Sequence, residues 1–277
     1  MTEAAPGQLV RLAVRAPAAC AEAVLGALLA LAPDGLEQRD GESWVEYALY
    51  GTPAELPALP DGPTEIAGAP VDVSRGEVAR DWDRRWRAFH RPQLVAERLH
   101  VRAPWHLPSR RAGVVDLVVD PGRAFGTGAH PTTRLCLELM LELSDGAGSL
   151  VDLGCGSGVL SIAARKLGFA PVVALDADEA AIEATRANAR ANGVTIDRVE
   201  RFDLRRRAAP AADVVVANLM RGLLVTVAER LGGARPRALV ASGLLDHEVD
   251  EVARSFEPLR ERERRSEAGW SALLLTS

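Results

Sequence analysis

The sequence predicts an α/β protein in two parts: a small α+β domain, then a mostly parallel sheet with helices on both faces that closes on an antiparallel hairpin. Three observations carry this. At 277 residues the chain exceeds the roughly 100 to 150 of a typical single domain and suits two. From about residue 112 strand-like and helix-like segments alternate, the pattern of parallel strands joined by helical crossovers. The last two strand-like segments, about Glu257 to Arg264 and Trp270 to Leu275, have no helix between them and read as an antiparallel edge.

In the first part, Leu9 to Val14 is a short strand. Past Pro17 an Ala/Leu-rich stretch to Ala32 has helical periodicity, and Pro33-Asp34-Gly35 ends it with turn chemistry. Gly41-Glu42 separates Leu36 to Asp40 from the alternating, aromatic-rich Trp44 to Tyr50, a hairpin signal. After the proline-rich stretch Pro53 to Pro63 a last strand is expected near Ile66 to Val73. Residues 1–74 therefore predict a helix on an antiparallel sheet. Residues 75–111 form a connector that opens with a helix-like segment, Arg75 to Arg91. Its Val78, Trp82, Trp86 and Phe89 fall on one face, a packing surface. In residues 112–277, strands are expected at Val114 to Val119, Leu150 to Leu153, Pro171 to Asp176, Ile196 to Phe202, Asp213 to Ala217 and Ala238 to Ser242. Gly158 to Leu167 and Asp178 to Asn192 are the clearest helices, each opening in turn or cap chemistry.

Composition narrows the function classes. The longest apolar runs, such as Ala23 to Ala32, fall short of the roughly 20 residues that span a bilayer, and Met1-Thr2-Glu3 carries an acid where a secretory signal carries Lys or Arg. A cytoplasmic protein with no membrane partner is expected. Cys20, Cys136 and Cys155 are isolated and lack metal-ligand spacing, so neither a disulfide framework nor a metal site is expected. The net charge of −5 argues against a general nucleic-acid binder, and no DNA partner is expected. The charge is uneven, however. Residues 1–74 hold eleven acids against three arginines, while the connector holds ten arginines against four acids.

The chemistry concentrates at strand ends. In Val151-Asp152-Leu153-Gly154-Cys155-Gly156-Ser157-Gly158 a buried strand runs into glycines and then a helix, a turn that lets a ligand lie against bare backbone. Gly154, Gly156 and Gly158 alternate, whereas the dinucleotide fingerprint sets its third glycine three residues after the second, so a pyrophosphate fits poorly. Asp176 ends the next strand, 22 positions after Gly154, where a carboxylate can accept both hydroxyls of a ribose. That need is common to S-adenosylmethionine and NAD. The alternative duty, capping the next helix, is better served by Asp178. Asn218 ends Val214-Val215-Val216-Ala217 at the carboxyl edge of its strand, where its amide can hold a neutral amine with the lone pair facing a sulfonium methyl, or can simply cap the following helix. The loop Asp120 to Thr133 (DPGRAFGTGAHPTT) holds more special chemistry than a connector needs and should wall the pocket. Within it His130 reads as a structural hydrogen-bonder before a base.

On these motifs the chain resembles the ribosomal protein L11 methyltransferases of the PrmA type. The likeness rests on DPGRAFGTGAHPTT, on VDLGCGSG at Val151 to Gly158, on Leu175 to Asp178, on Val214 to Leu219, and on Trp82, Trp86, Phe89 and His90, over about residues 78–277. It implies a seven-stranded, Rossmann-like methyltransferase sheet behind a small ferredoxin-like domain that grips the ribosomal protein. It implies S-adenosylmethionine as cofactor, with Thr133, Gly154, Asp176 and Asn218 as contacting positions, and methylation of lysine side chains and the N-terminal amine of that protein. On that reading Gly156 and Gly158 join Gly154 against the methionine part, Asp203 touches the adenine amino group, Phe125 lines the pocket with Thr133, and Asn218 with the Leu219 backbone places the amine. The family's small domain has a second helix after its third strand, a place taken here by the proline-rich stretch. The acidic domain suits a basic ribosomal protein, and the basic connector offers a ribosome contact. Other readings stay open: a same-fold methyltransferase acting on RNA, a small molecule or another protein, a non-catalytic ribosome- or RNA-associated module, and an NAD-dependent oxidoreductase.

Overall fold

A computed structural model of the chain describes residues 10–31, 36–41, 43–51, 56–77, 90–120, 128, 130–146, 148–231 and 235–277. It divides into two compact units, Met1–Phe89 and His90–Ser277.

The first unit is an antiparallel sheet carrying one described helix. Its elements are β1 (Val10–Pro17), α1 (Ala21–Leu31), β2 (Glu37–Asp40), β3 (Trp44–Gly51), β4 (Gly62–Ile66) and β5 (Ala69–Glu77), in the spatial order β2-β3-β1-β5-β4. Alternate residues of β1, Leu12, Val14 and Ala16, meet Val24 and Leu28 of α1 and Val45, Tyr47 and Leu49 of β3 in one core. The opposite face of β1 carries Arg11 and Arg15, both bonded to Glu46 (2.5 and 2.9 Å). The expected strand near Ile66 to Val73 is corrected here: it is two strands of a hairpin, turning at Ala67-Gly68. The proline-rich stretch thus ends in a strand, β4, at the sheet edge, where a residue lacking an N–H is tolerated. The expected helix from Arg75 is corrected at its start, since Arg75 to Glu77 continue β5. Its remainder through Phe89, with Val78, Trp82, Trp86 and Phe89, lies outside the described residues.

The second unit opens with β6 (Gln93–Val95), β7 (Leu99–Arg102) and β8 (Val115–Val118), a three-stranded sheet of its own. The strand expected at Val114 to Val119 therefore exists but does not join the main sheet. It pairs parallel with β7, a choice of partner that local periodicity does not encode. The main sheet follows: α2 (Pro131–Leu141), β9 (Leu150–Leu153), α3 (Val159–Lys166), β10 (Val172–Asp176), α4 (Glu179–Ala191), β11 (Arg198–Arg201), β12 (Val214–Asn218), α5 (Arg221–Arg230), β13 (Ala238–Leu245), α6 (Val249–Ser255), β14 (Arg260–Glu267) and β15 (Trp270–Thr276). Seven strands lie in the order β11-β10-β9-β12-β13-β15-β14; the first five are parallel, and β15 runs antiparallel to both β13 and β14. The terminal hairpin is as expected, with its first strand three residues later. Leu150, Val172, Val214 and Val240 point into one core with α2 and α3, while Val151, Leu175, Val215 and Leu239 point into the other with α5 and α6. Both faces are dry, which explains why these strands read as unbroken apolar runs. No helix of the described residues is long and apolar enough to cross a membrane.

Candidate functional site

The carboxyl ends of β9, β10 and β12 meet at one edge of the main sheet, where the order of strands reverses around β9. The glycine turn leaves β9 there. Gly154, Gly156 and Gly158 have φ of +74°, +51° and +82°, a left-handed region that side chains disfavour. The N–H groups of Gly154 and Cys155 donate to the Leu175 carbonyl (2.8 and 3.0 Å), and the Thr185 hydroxyl donates to the Gly156 carbonyl (3.0 Å). The turn is thereby tied to β10 and α4 before any ligand is considered.

Asp176, at the end of β10, accepts the Gly156 N–H (2.9 Å) on one oxygen and the Asp178 N–H (3.0 Å) on the other. Asp178 caps α4 by accepting from the Ala180 N–H, as expected, which leaves Asp176 free of that duty. Two of its four lone-pair sites remain for a vicinal diol. Asp203 lies two residues beyond β11, beside Asp176 through the bond from the Phe202 N–H to the Asp176 carbonyl (2.6 Å). Its carboxylate already accepts the Arg205 N–H (2.9 Å) and faces the Arg206 guanidinium (3.3 Å).

Across the turn stands Asn218, the last residue of β12. Its Nδ2 donates to the Thr132 hydroxyl (3.2 Å) and more weakly to that of Thr133 (3.5 Å), both buried in the first turn of α2. The next residue, Leu219, connects the two walls: its side chain occupies the space a Cβ on Gly154 would need. Asp176, the glycine turn, Leu219, Asn218 and the buried Thr133 are thus joined by successive contacts. Phe125 and the rest of 121–127 lie outside the described residues.

Four further residues support the site, none of them given a role of its own from the sequence. Asn188, buried on α4, accepts the Asp120 N–H (3.0 Å) and donates to the Ser157 carbonyl (2.9 Å), clasping the root of the Asp120 to Thr133 loop to the glycine turn. Gly243 underlies Leu219. Trp270 meets the His130 ring edge to face, with centroids 5.0 Å apart. Asp152, fully buried on β9, accepts from the Ser161 hydroxyl (2.6 Å) on one oxygen, and its other oxygen has no hydrogen-bond partner among the described residues. Burial first, and then the nearby Asp176 charge, push its pKa up to about 7 against the hydroxyl's opposing effect. Asp152 alone among them falls inside a motif that the sequence singles out, Val151 to Gly158.

A bare-backbone turn, a carboxylate with spare acceptors for a diol and a carboxamide facing across them fit an aminoacyl nucleoside better than a pyrophosphate. Together with five parallel strands ended by an antiparallel hairpin, they match the arrangement the sequence leads one to expect for a site that takes S-adenosylmethionine. The comparisons name the branch. The model of the family "Ribosomal protein L11 methyltransferase (PrmA)" matches residues 65–277, and the chain belongs to that family. The ribosomal protein L11 methyltransferase of Pseudomonas putida (strain GB-1) is 41% identical over 196 residues, 69% of this chain and 66% of that protein. The match therefore spans just under two thirds of that relative's length. The Cupriavidus necator enzyme of the same name is 40% identical over 235 residues, 82% of this chain and 76% of its own. A crystal structure of a ribosomal protein L11 methylase from Lactobacillus delbrueckii subsp. bulgaricus superposes with a TM-score of 0.60 at 23% identity, covering 67% of this chain and 97% of that one, and so shares the fold.

Proposed function

We propose that this chain transfers methyl groups from S-adenosylmethionine to amino groups, lysine side chains and the N-terminal amine, of ribosomal protein L11. The observation that carries this is the placement of Asn218 opposite the glycine turn, joined to it by Leu219 on Gly154, in a chain of this family. When bound, S-adenosylmethionine supplies an electrophilic sulfonium methyl and its own leaving group. The protein has to bind, orient and exclude water. Gly154, Gly156 and Gly158 let the methionine part approach bare backbone, Asp176 takes the ribose hydroxyls on its free lone pairs, and Asp203 accepts from the adenine amino group. Thr133 and Phe125 line the pocket. Asn218 and the Leu219 backbone hold a deprotonated amine for in-line attack.

The roles of the segments follow the same reading. Residues 1–74 recognise the substrate, the arginine-rich segment 75–111 touches the ribosome, and 112–277 carry catalysis, all in the cytoplasm. Incubating purified protein with methyl-labelled S-adenosylmethionine and whole ribosomes tests the substrate. Label in the L11 band is expected; label in ribosomal RNA alone would overturn the substrate and leave methyl transfer standing.

A further inference from the structure

The hydrogen bonds leading to Asn218 run in one direction. At the N-terminus of α2 the His130 Nδ1 accepts the backbone N–H of Thr132 (3.4 Å), so Nδ1 bears a lone pair and the ring proton sits on Nε2. Burial, helped by the Arg134 charge, pushes the pKa of this ring down to about 4, which keeps it neutral at neutral pH. Beside an acceptor nitrogen 2.8 Å away, the Thr132 hydroxyl has to donate. Its lone pairs then face Asn218, which explains why the amide nitrogen, not the oxygen, points to it. Thr133 takes the second amide hydrogen. The Oδ1 atom of Asn218 has no hydrogen-bond partner among the described residues.

We propose that His130 and Thr132 are positioning residues for methyl transfer, a relay that locks the Asn218 carboxamide with its oxygen outward to accept an amine N–H. The proposal rests on the reading of Asn218 as the amine-holding residue. An acceptor on the amine's N–H leaves its lone pair free to attack the methyl. The flipped carboxamide would instead offer N–H groups to that lone pair and occupy it.

The experiment follows the Asn218 side-chain amide by ¹⁵N NMR of asparagine-labelled protein with S-adenosylhomocysteine, its signals assigned with Asn218→Asp. Turnover on L11 is measured in parallel, with cofactor Kd by calorimetry. Thr132→Val removes the hydroxyl and keeps the shape. It should speed exchange of the Asn218 amide with water and lower kcat about tenfold, the loss of one orienting hydrogen bond, with Kd changed less than about twofold. His130→Phe should do the same. Thr132→Ser, and His130→Asn, which keeps a cap acceptor, should each restore most of the turnover. Unchanged Asn218 signals in Thr132→Val would overturn the relay, and so would a fall in kcat matched by a fall in cofactor affinity. If the wild type leaves L11 unlabelled the proposed substrate fails, and amide exchange alone decides the relay: faster exchange supports it and unchanged exchange overturns it.

Discussion

The backbone of Leu219 rests on Gly243. Gly243 sits where β13 breaks register against β15, with φ +85°, and a methyl group there would stand 2.5 Å from the Leu219 carbonyl oxygen. The Leu219 N–H donates to the adjacent Ser242 carbonyl (2.9 Å), so Leu219 is held from both sides. Gly243→Ala is therefore expected to push Leu219 off its seat and carry Asn218 with it, besides straining a left-handed residue at about 1 to 3 kcal/mol. A lower melting temperature and at least a tenfold drop in kcat are expected. Wild-type turnover would mean that Leu219 is not placed by this contact.

Asp176 divides its carboxylate between two backbone N–H groups and the free lone pairs assigned to the ribose. Asp176→Ala should weaken S-adenosylmethionine binding by at least tenfold in calorimetry, since charge-assisted bonds contribute about 1.5 to 3 kcal/mol each. Asp203→Ala should cost less, because Asp203 is already engaged by Arg205 and Arg206. Unchanged affinity in the Asp176 variant would remove that residue from the site.

Asn188 holds two chain segments that are far apart in sequence. Asn188→Leu conserves much of the shape but strands the buried Ser157 carbonyl, at about 1 to 3 kcal/mol, and releases the exposed Asp120 N–H to solvent. Urea unfolding should show a loss in that range, together with faster proteolysis near Asp120. A stability equal to wild type would argue that water replaces both bonds.

Two buried groups give stability opposite dependences on pH. Asp152 is held protonated up to about pH 7 in the fold, well above its usual range, so between about pH 4 and 7 the folded state binds more protons than the unfolded and stability falls as pH rises. His130 is depressed to about 4, so the unfolded state binds more protons between about 4 and 6.5, and its contribution is lost as pH falls through that window. Asp152→Asn removes only the first effect. Its melting temperature relative to wild type should rise from about pH 4 to pH 7 and then level off. A difference that stays constant across that range would show that Asp152 does not titrate there.

The sequence by itself determined the class of fold and pointed to a candidate site at the ends of its strands. Alternating strands and helices, the three spaced glycines, Asp176 at a strand end and Asn218 after four apolar residues are each legible within a single turn or strand. Only the tertiary structure decided that Val115–Val118 leaves the main sheet for β7, that the proline-rich stretch ends in an edge strand, and that Asn218 faces Thr132 across 86 positions of sequence. Partner choice between distant segments is set by crossover packing and by the direction of side-chain hydrogen bonds, neither of which leaves a periodic trace. Asn188 and Gly243 were invisible for that reason: an asparagine inside a helix and a glycine inside a strand look like small local costs until the backbone each one holds is brought against it.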